Sequence, residues 1–183
     1  MAVLLKPPEQ ITYASHWQRR CIFLGGGISG APDWQSYAWS RLHSVVGLAV
    51  FNPRRDFYPM DGSKLARELA CQQIQWEWSA LRICDQSPNA ILFWFCKETI
   101  QPITLLELGR HTARTNIEVS VPPSGGNLNI TTTRPKLFVG VHPEYPRRLD
   151  VEIQLNCECP LQTISSTIED LVERVLKWTE EQE

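Results

Sequence analysis

Four short apolar runs punctuate the chain, each closed by a break in the pattern. Arg20–Leu24 runs into Gly25-Gly26-Gly27, and Leu48–Phe51 stops at Asn52-Pro53. Ala90–Phe95 is the most apolar, and Lys136–Val141 is the fourth. Runs of this length between glycines and prolines read as buried strands. Between them, apolar residues recur at helical spacing. This predicts helices over about Trp34–Val46, over Lys64–Cys84 with Ser63 as N-cap, and over about Pro102–Ala113 with proline in the first turn. A final amphipathic helix opens at Thr163 or Ser165 and reaches about Trp178, with a short strand expected near Pro160–Ile164.

Apolar runs alternating with helical stretches imply βαβ units, and hence an α/β domain with a parallel sheet covered by helices on both faces. The domain is expected over residues 20–183. Residues 1–19 form a polar lead-in draped over the surface, and residues 115–135, with Pro122-Pro123-Ser124-Gly125-Gly126, form an inserted loop or hairpin. In such sheets ligands bind beyond the carboxyl ends of the strands. Four loops leave those ends: Gly25–Asp33, Asn52–Gly62, Cys96–Pro102 and His142–Arg148.

Composition narrows the class. With 43% hydrophobic and 21% charged residues among 183, the chain is a globular protein and not a disordered one. No apolar run reaches the ~18 residues of a spanning helix, so no membrane role is expected. The opening Met1–Gln10, with one Lys before Pro7-Pro8, is not a secretory pattern. The net charge of −2 argues against binding a nucleic-acid polymer. Four of the six cysteines sit singly in apolar or helical patterns, as reduced thiols of a cytoplasmic protein do. Cys157 and Cys159 form a CxC without a second pair, so no metal site is expected.

Three features bear chemistry. The loop Gly25-Gly26-Gly27-Ile28-Ser29-Gly30 lets the backbone turn sharply and brings N–H groups close to a ligand. It fits a phosphate or sugar loop, or a purely structural turn. A dinucleotide loop fits less well, because Asn52-Pro53-Arg54 stands where a ribose-binding acid belongs. On the Lys64–Cys84 helix, Ala66, Ala70, Ile74, Glu77, Leu81 and Cys84 share a face, so Glu77 interrupts an apolar stripe. It is either a structural ion pair or a pocket carboxylate whose pKa its surroundings raise. Glu107 follows three apolar residues in Pro102-Ile103-Thr104-Leu105-Leu106-Glu107-Leu108-Gly109. It is either a carboxylate complementing the helix dipole or an ionised nucleophile for an electrophilic carbon. Two carboxylates in unlike environments can divide nucleophile and acid roles, as in retaining glycoside cleavage.

These residues resemble a family. Phe23–Gln35 with its glycine loop, Gln73-Ile74-Gln75-Trp76-Glu77 with Asp85 and Ile91–Phe95, and Thr99–Arg110 around Glu107 are similar to blocks of the nucleoside 2-deoxyribosyltransferases. The likeness is to their 2-deoxyribosyltransferase-like branch, related to the deoxynucleoside-5′-monophosphate N-glycosidases. It implies a three-layer Rossmann/flavodoxin-like fold with about five parallel strands, and cleavage or transfer of the N-glycosidic bond of a (deoxy)nucleoside or nucleotide.

By the same resemblance Glu107 is the nucleophile, forming a glycosyl-enzyme intermediate, and Glu77 orients the substrate or protonates the leaving base. Gly26, Gly27, Ile28 and Ser29, with Asn52 and Arg54, contact the ligand. No metal or organic cofactor is used, and a homodimer or higher homo-oligomer completes the pocket. Gln101 stands where the transferases carry an Asp, and Ser29 where the monophosphate glycosidases carry an Arg. A catalytically silent nucleoside- or nucleotide-binding module is the alternative.

Overall fold

The computed structural model describes residues 1–11, 20–56, 63–114, 116–120, 129–133 and 136–180. The strands are β1 (Val3–Leu5), β2 (Arg20–Gly26), β3 (Leu48–Phe51), β4 (Ala90–Phe95), β5 (Asn116–Ser120), β6 (Asn129–Thr133), β7 (Lys136–Val141) and β8 (Ile164–Ser165). The helices are α1 (Trp34–Leu42), α2 (Lys64–Cys84), α3 (Pro102–Thr112), α4 (Arg148–Glu158) and α5 (Ile168–Glu180). Six strands form one all-parallel sheet in the order β1-β3-β2-β4-β7-β8. Setting aside the edge strand β1, this is the doubly wound order 2-1-3-4-5, whose chain reverses direction between β2 and β4. Strands β5 and β6 pair separately as an antiparallel hairpin within the insert.

The layers follow from the alternation of side chains along each strand. One face buries Phe23, Phe51, Phe93 and Phe95 under α2, α3 and α4. The other buries Ile22, Leu24, Val50 and Leu92 under α1 and α5. With both faces covered, the central strands are apolar throughout, and every residue of β4 is buried.

Several expectations need correction. Val3–Leu5, read from sequence as part of a surface lead-in, pairs with β3 and buries Leu5 at the sheet edge. The sheet therefore has six strands and not about five. The first helix ends at Leu42, where the cap amide of His43 donates to Trp39 O, and not near Val46. No helix is predicted between the strand at Lys136–Val141 and residue 163, yet Arg148–Glu158 is helical. Its N-cap Arg147 makes no side-chain cap bond and only Val151 and Leu155 are buried, so neither a start signal nor a broad apolar stripe marked it. The short strand falls at Ile164–Ser165, and the last helix begins only at Ile168.

On α2 the apolar stripe is rotated relative to its expected position. Gln73, Trp76, Ala80, Leu81 and Cys84 are buried, whereas Ile74 is exposed. Glu77 consequently lies on the flank of the buried face. Gly109 marks no close helix approach, since an added Cβ there would meet nothing within 4 Å.

Candidate active site

The site assembles at the β2/β4 switch point. The glycine loop leaves the end of β2, where Gly26 has a φ of +155° and a Cβ would lie 2.5 Å from Trp94 O. A side chain there would collide with backbone, which is why glycine is needed. The next peptide is held from both sides. Gly27 N–H donates to Gln101 Oε1 (2.7 Å), and Gly27 O accepts from Trp34 Nε1 (3.1 Å) and Gln35 Nε2 (3.2 Å). Beyond it Ser29 is exposed and Ile28 is half-buried. Among the described residues, neither amide donates to a backbone carbonyl.

Gln101, the residue before α3, adopts the left-handed conformation (φ 54°) and is only 7% exposed. Its Nε2 donates to Cys96 O and to Cys96 Sγ, each at 3.1 Å. Its amide thus ties the loop after β4 to the loop after β2. Asn52 and Arg54 brace the same region. Asn52 is buried, and its Oδ1 accepts from the Arg54 amide at 2.9 Å. The Arg54 guanidinium donates to Gln35 Oε1 (3.0 Å) and Pro32 O (2.9 Å) and pairs with Asp33 (3.2 Å), so it holds the far side of the glycine loop. Tyr145, in the loop after β7, donates to Ile100 O. The described parts of all four crevice loops are therefore cross-braced or fixed to their neighbours.

The two carboxylates rise from α2 and α3 on one side of the sheet. Glu77 Oε1 accepts from Gln73 Nε2 at 2.6 Å; that nitrogen also donates to Pro53 O, while Gln73 Oε1 accepts from Arg55 Nε at 2.6 Å. Arg55 Nη2 is buried and has no hydrogen-bond partner among the described residues. Burial raises the pKa of Glu77, against the opposing pull of Gln73 and Arg55. Glu107 is half-buried, and its pKa is pushed up to about 8 by burial and then by the charge of Glu77, with Arg110 opposing.

The charge of Glu77 therefore acts on Glu107, and the two acids lie within electrostatic range of each other. The expectation that the helix dipole keeps Glu107 ionised does not hold. That field is worth about 0.3–1 kcal/mol and fades beyond the first turn, whereas each pKa unit corresponds to about 1.4 kcal/mol. Glu107 is the sixth residue of α3, past the reach of the dipole.

Gln73 and Arg55 are the parts of this site that sequence reasoning missed. The four-residue spacing between Gln73 and Glu77 was the available signal, since it places both on one helix face. Among the described residues, no group of three metal-ligating side chains converges. No helix among them is long and apolar enough to cross a membrane.

Residues 19–124, more than half of the chain, match the family model described as nucleoside 2-deoxyribosyltransferase like. No curated protein matches the chain.

Proposed function

Since the chain belongs to the nucleoside 2-deoxyribosyltransferase-like family, we propose that it cleaves or transfers the N-glycosidic bond of a nucleoside or nucleotide, with Glu107 as nucleophile. The observation that carries this reading is that two partly buried carboxylates act on each other here: burial and then the charge of Glu77 raise the pKa of Glu107. Two close carboxylates cannot both ionise cheaply, so the pair holds one proton near neutral pH.

That proton is what the reaction requires. The Glu107 carboxylate attacks C1′ of the pentose, the C1′–N bond breaks, and its electron pair stays on the base nitrogen. Glu77 supplies the proton to that nitrogen, leaving a glycosyl ester on Glu107 and an ionised Glu77. Water or a second base then attacks C1′ while the ionised Glu77 takes its proton, the C1′–O ester bond breaks, and Glu107 is released as the carboxylate. Both pKa values are raised, that of Glu107 to about 8, and the reactive form of the singly protonated pair carries the proton on Glu77.

The surroundings support a pentose ligand. The amides of Ile28 and Ser29 stand at the mouth of the crevice, and Arg55 offers a buried unpaired N–H beside Glu77. Gly26 and Gly27 permit the close approach, while Asn52 and Arg54 hold the loop in position. We assign the base or the 5′ end of the substrate no particular partner. Ile74, Ile103 and Leu106 are exposed on α2 and α3 beside the pair, and we propose that a second copy of the chain covers them and completes the pocket. None of the six cysteines forms a disulfide among the described residues, which suits a cytoplasmic protein.

One observation favours a second reading, a binding module without activity. Gln101, at the position of a transferase Asp, spends its amide on Gly27 and Cys96 and offers the ligand nothing. Chromatography of a nucleoside and 5′-monophosphate panel incubated with the protein separates the two readings. Free base from any panel member, lost in Glu107→Ala with the fold intact, supports the enzyme. Ligand-induced thermal shifts without product from any of them support the module.

A further inference from the structure

A cavity of about 350 Å³ lies where α2 and α3 end, at the starts of the strands and so away from the glycine loop. Trp78, Leu81, Arg82, Arg110, His111 and Arg114 line it. Basic residues near a helix C-terminus ordinarily complement its dipole. That accounts for a cation at each end, but not for what converges here.

Three guanidiniums border this one open cavity. Arg114 pairs with the fully buried Asp85. Arg82 lies over the Trp78 ring, 5.4 Å from its centroid. Among the described residues, neither Arg82 nor Arg110 has a carboxylate within ion-pair distance. His111 supplies the second, independent observation. It is 2% exposed, its Nδ1 is held 2.9 Å from Asp85 Oδ1, and its Nε2 is buried with no hydrogen-bond partner among the described residues. An unmet buried polar atom is costly, and in a native fold it calls for a partner.

We propose that this cavity is a second ligand site that takes a phosphate group, either free phosphate or a phosphomonoester. Guanidinium forks match phosphate oxygens in geometry and charge. The orphaned Nε2 suits the same ligand in either protonation state: an imidazolium donates to a phosphate oxygen, and a neutral imidazole accepts from a phosphate O–H. Trp78 and Leu81 add an apolar wall for the organic part of an ester. The site stands whether or not Glu107 performs glycosyl chemistry, because its residues are not those of that step and its test reads binding without turnover.

Calorimetric titration of the full chain with inorganic phosphate, and separately with phenyl phosphate, tests it without any turnover. One saturable equivalent per chain is expected. Affinity should fall about tenfold or more in Arg82→Gln/Arg110→Gln, given the strength of charge-assisted hydrogen bonds, and stay unchanged in Arg54→Gln at the crevice. Tighter binding of phenyl phosphate assigns an organic phosphomonoester, and equal binding assigns free phosphate. A ¹⁵N spectrum of the wild-type imidazoles, in which the His111 Nε2 signal moves on adding phosphate, serves should the double variant fold poorly. Absence of binding by either probe at millimolar concentration overturns the proposal. So does binding undiminished in the folded double variant, or a His111 signal that phosphate leaves unmoved.

Discussion

The proton shared by Glu77 and Glu107 has consequences that can be read one residue at a time. Glu107 ionises near 4.5 in an unfolded chain and near 8 in the fold. Between those values the folded state binds the extra proton, so stability contributed by this group is full below about 4.5 and is lost as pH rises through about 8. Glu107→Gln should therefore raise the melting temperature at pH 8 relative to the parent and change it little at pH 4.5, by calorimetry; a lower value at pH 8 would show that the carboxyl is not buried at a cost. Activity depends on the same proton. Once both carboxylates ionise above about 8 the leaving base loses its donor, so kcat/KM should decline there, and a profile still rising at pH 9 would remove Glu77 from the acid role. Glu77→Gln should cost about 10²–10⁴-fold in turnover, the usual worth of a positioned acid. Both glutamates were legible in the chain because each interrupts an apolar pattern. Their relative ionisation was not, because it depends on how near α2 brings one to the other.

At the scale of elements, the crevice depends on Gln101. One side chain joins the loop after β4 to the glycine loop through Gly27 N–H and Cys96 O, and a Cβ on Gly27 would sit 3.0 Å from Gln101 Cδ. Gln101→Ala should lower stability by about 1–3 kcal/mol in denaturant titrations, the cost of leaving buried partners unmet, and should raise KM more than it lowers kcat. Unchanged stability would show that the loop holds its shape without this tie. The strand runs were readable because a strand buried on both faces must be apolar along its length, as Ala90–Phe95 is. Helix α4 was not, since two buried residues and an uncapped start leave little trace in sequence. The rotation of α2 that exposes Ile74 escaped for a related reason: several helical faces of that segment carry apolar residues, and only packing against β2 and β4 selects among them.

For the whole molecule, strand order is the organising fact. The β2/β4 switch point, implied by alternating strands and helices, brings the glycine loop and the start of α3 together, and α2 then sets Glu77 beside Glu107. The edge strand Val3–Leu5 lay beyond sequence reasoning because three residues are too few to establish a period. Assembly is the open step at this scale. If a second copy covers Ile103 and Leu106, then Leu106→Glu should convert a dimer to a monomer by light scattering and reduce activity with it; a parent chain that is already monomeric and active would remove the partner from the pocket.

The claim at the centre is a covalent bond between Glu107 and C1′. Acid quenching during turnover, followed by peptide mass mapping, tests it directly. The account predicts a glycosyl mass increment on the peptide carrying Glu107, absent from Glu107→Gln. An increment on Glu77 instead, or sustained base release with no adduct on either residue, would contradict it.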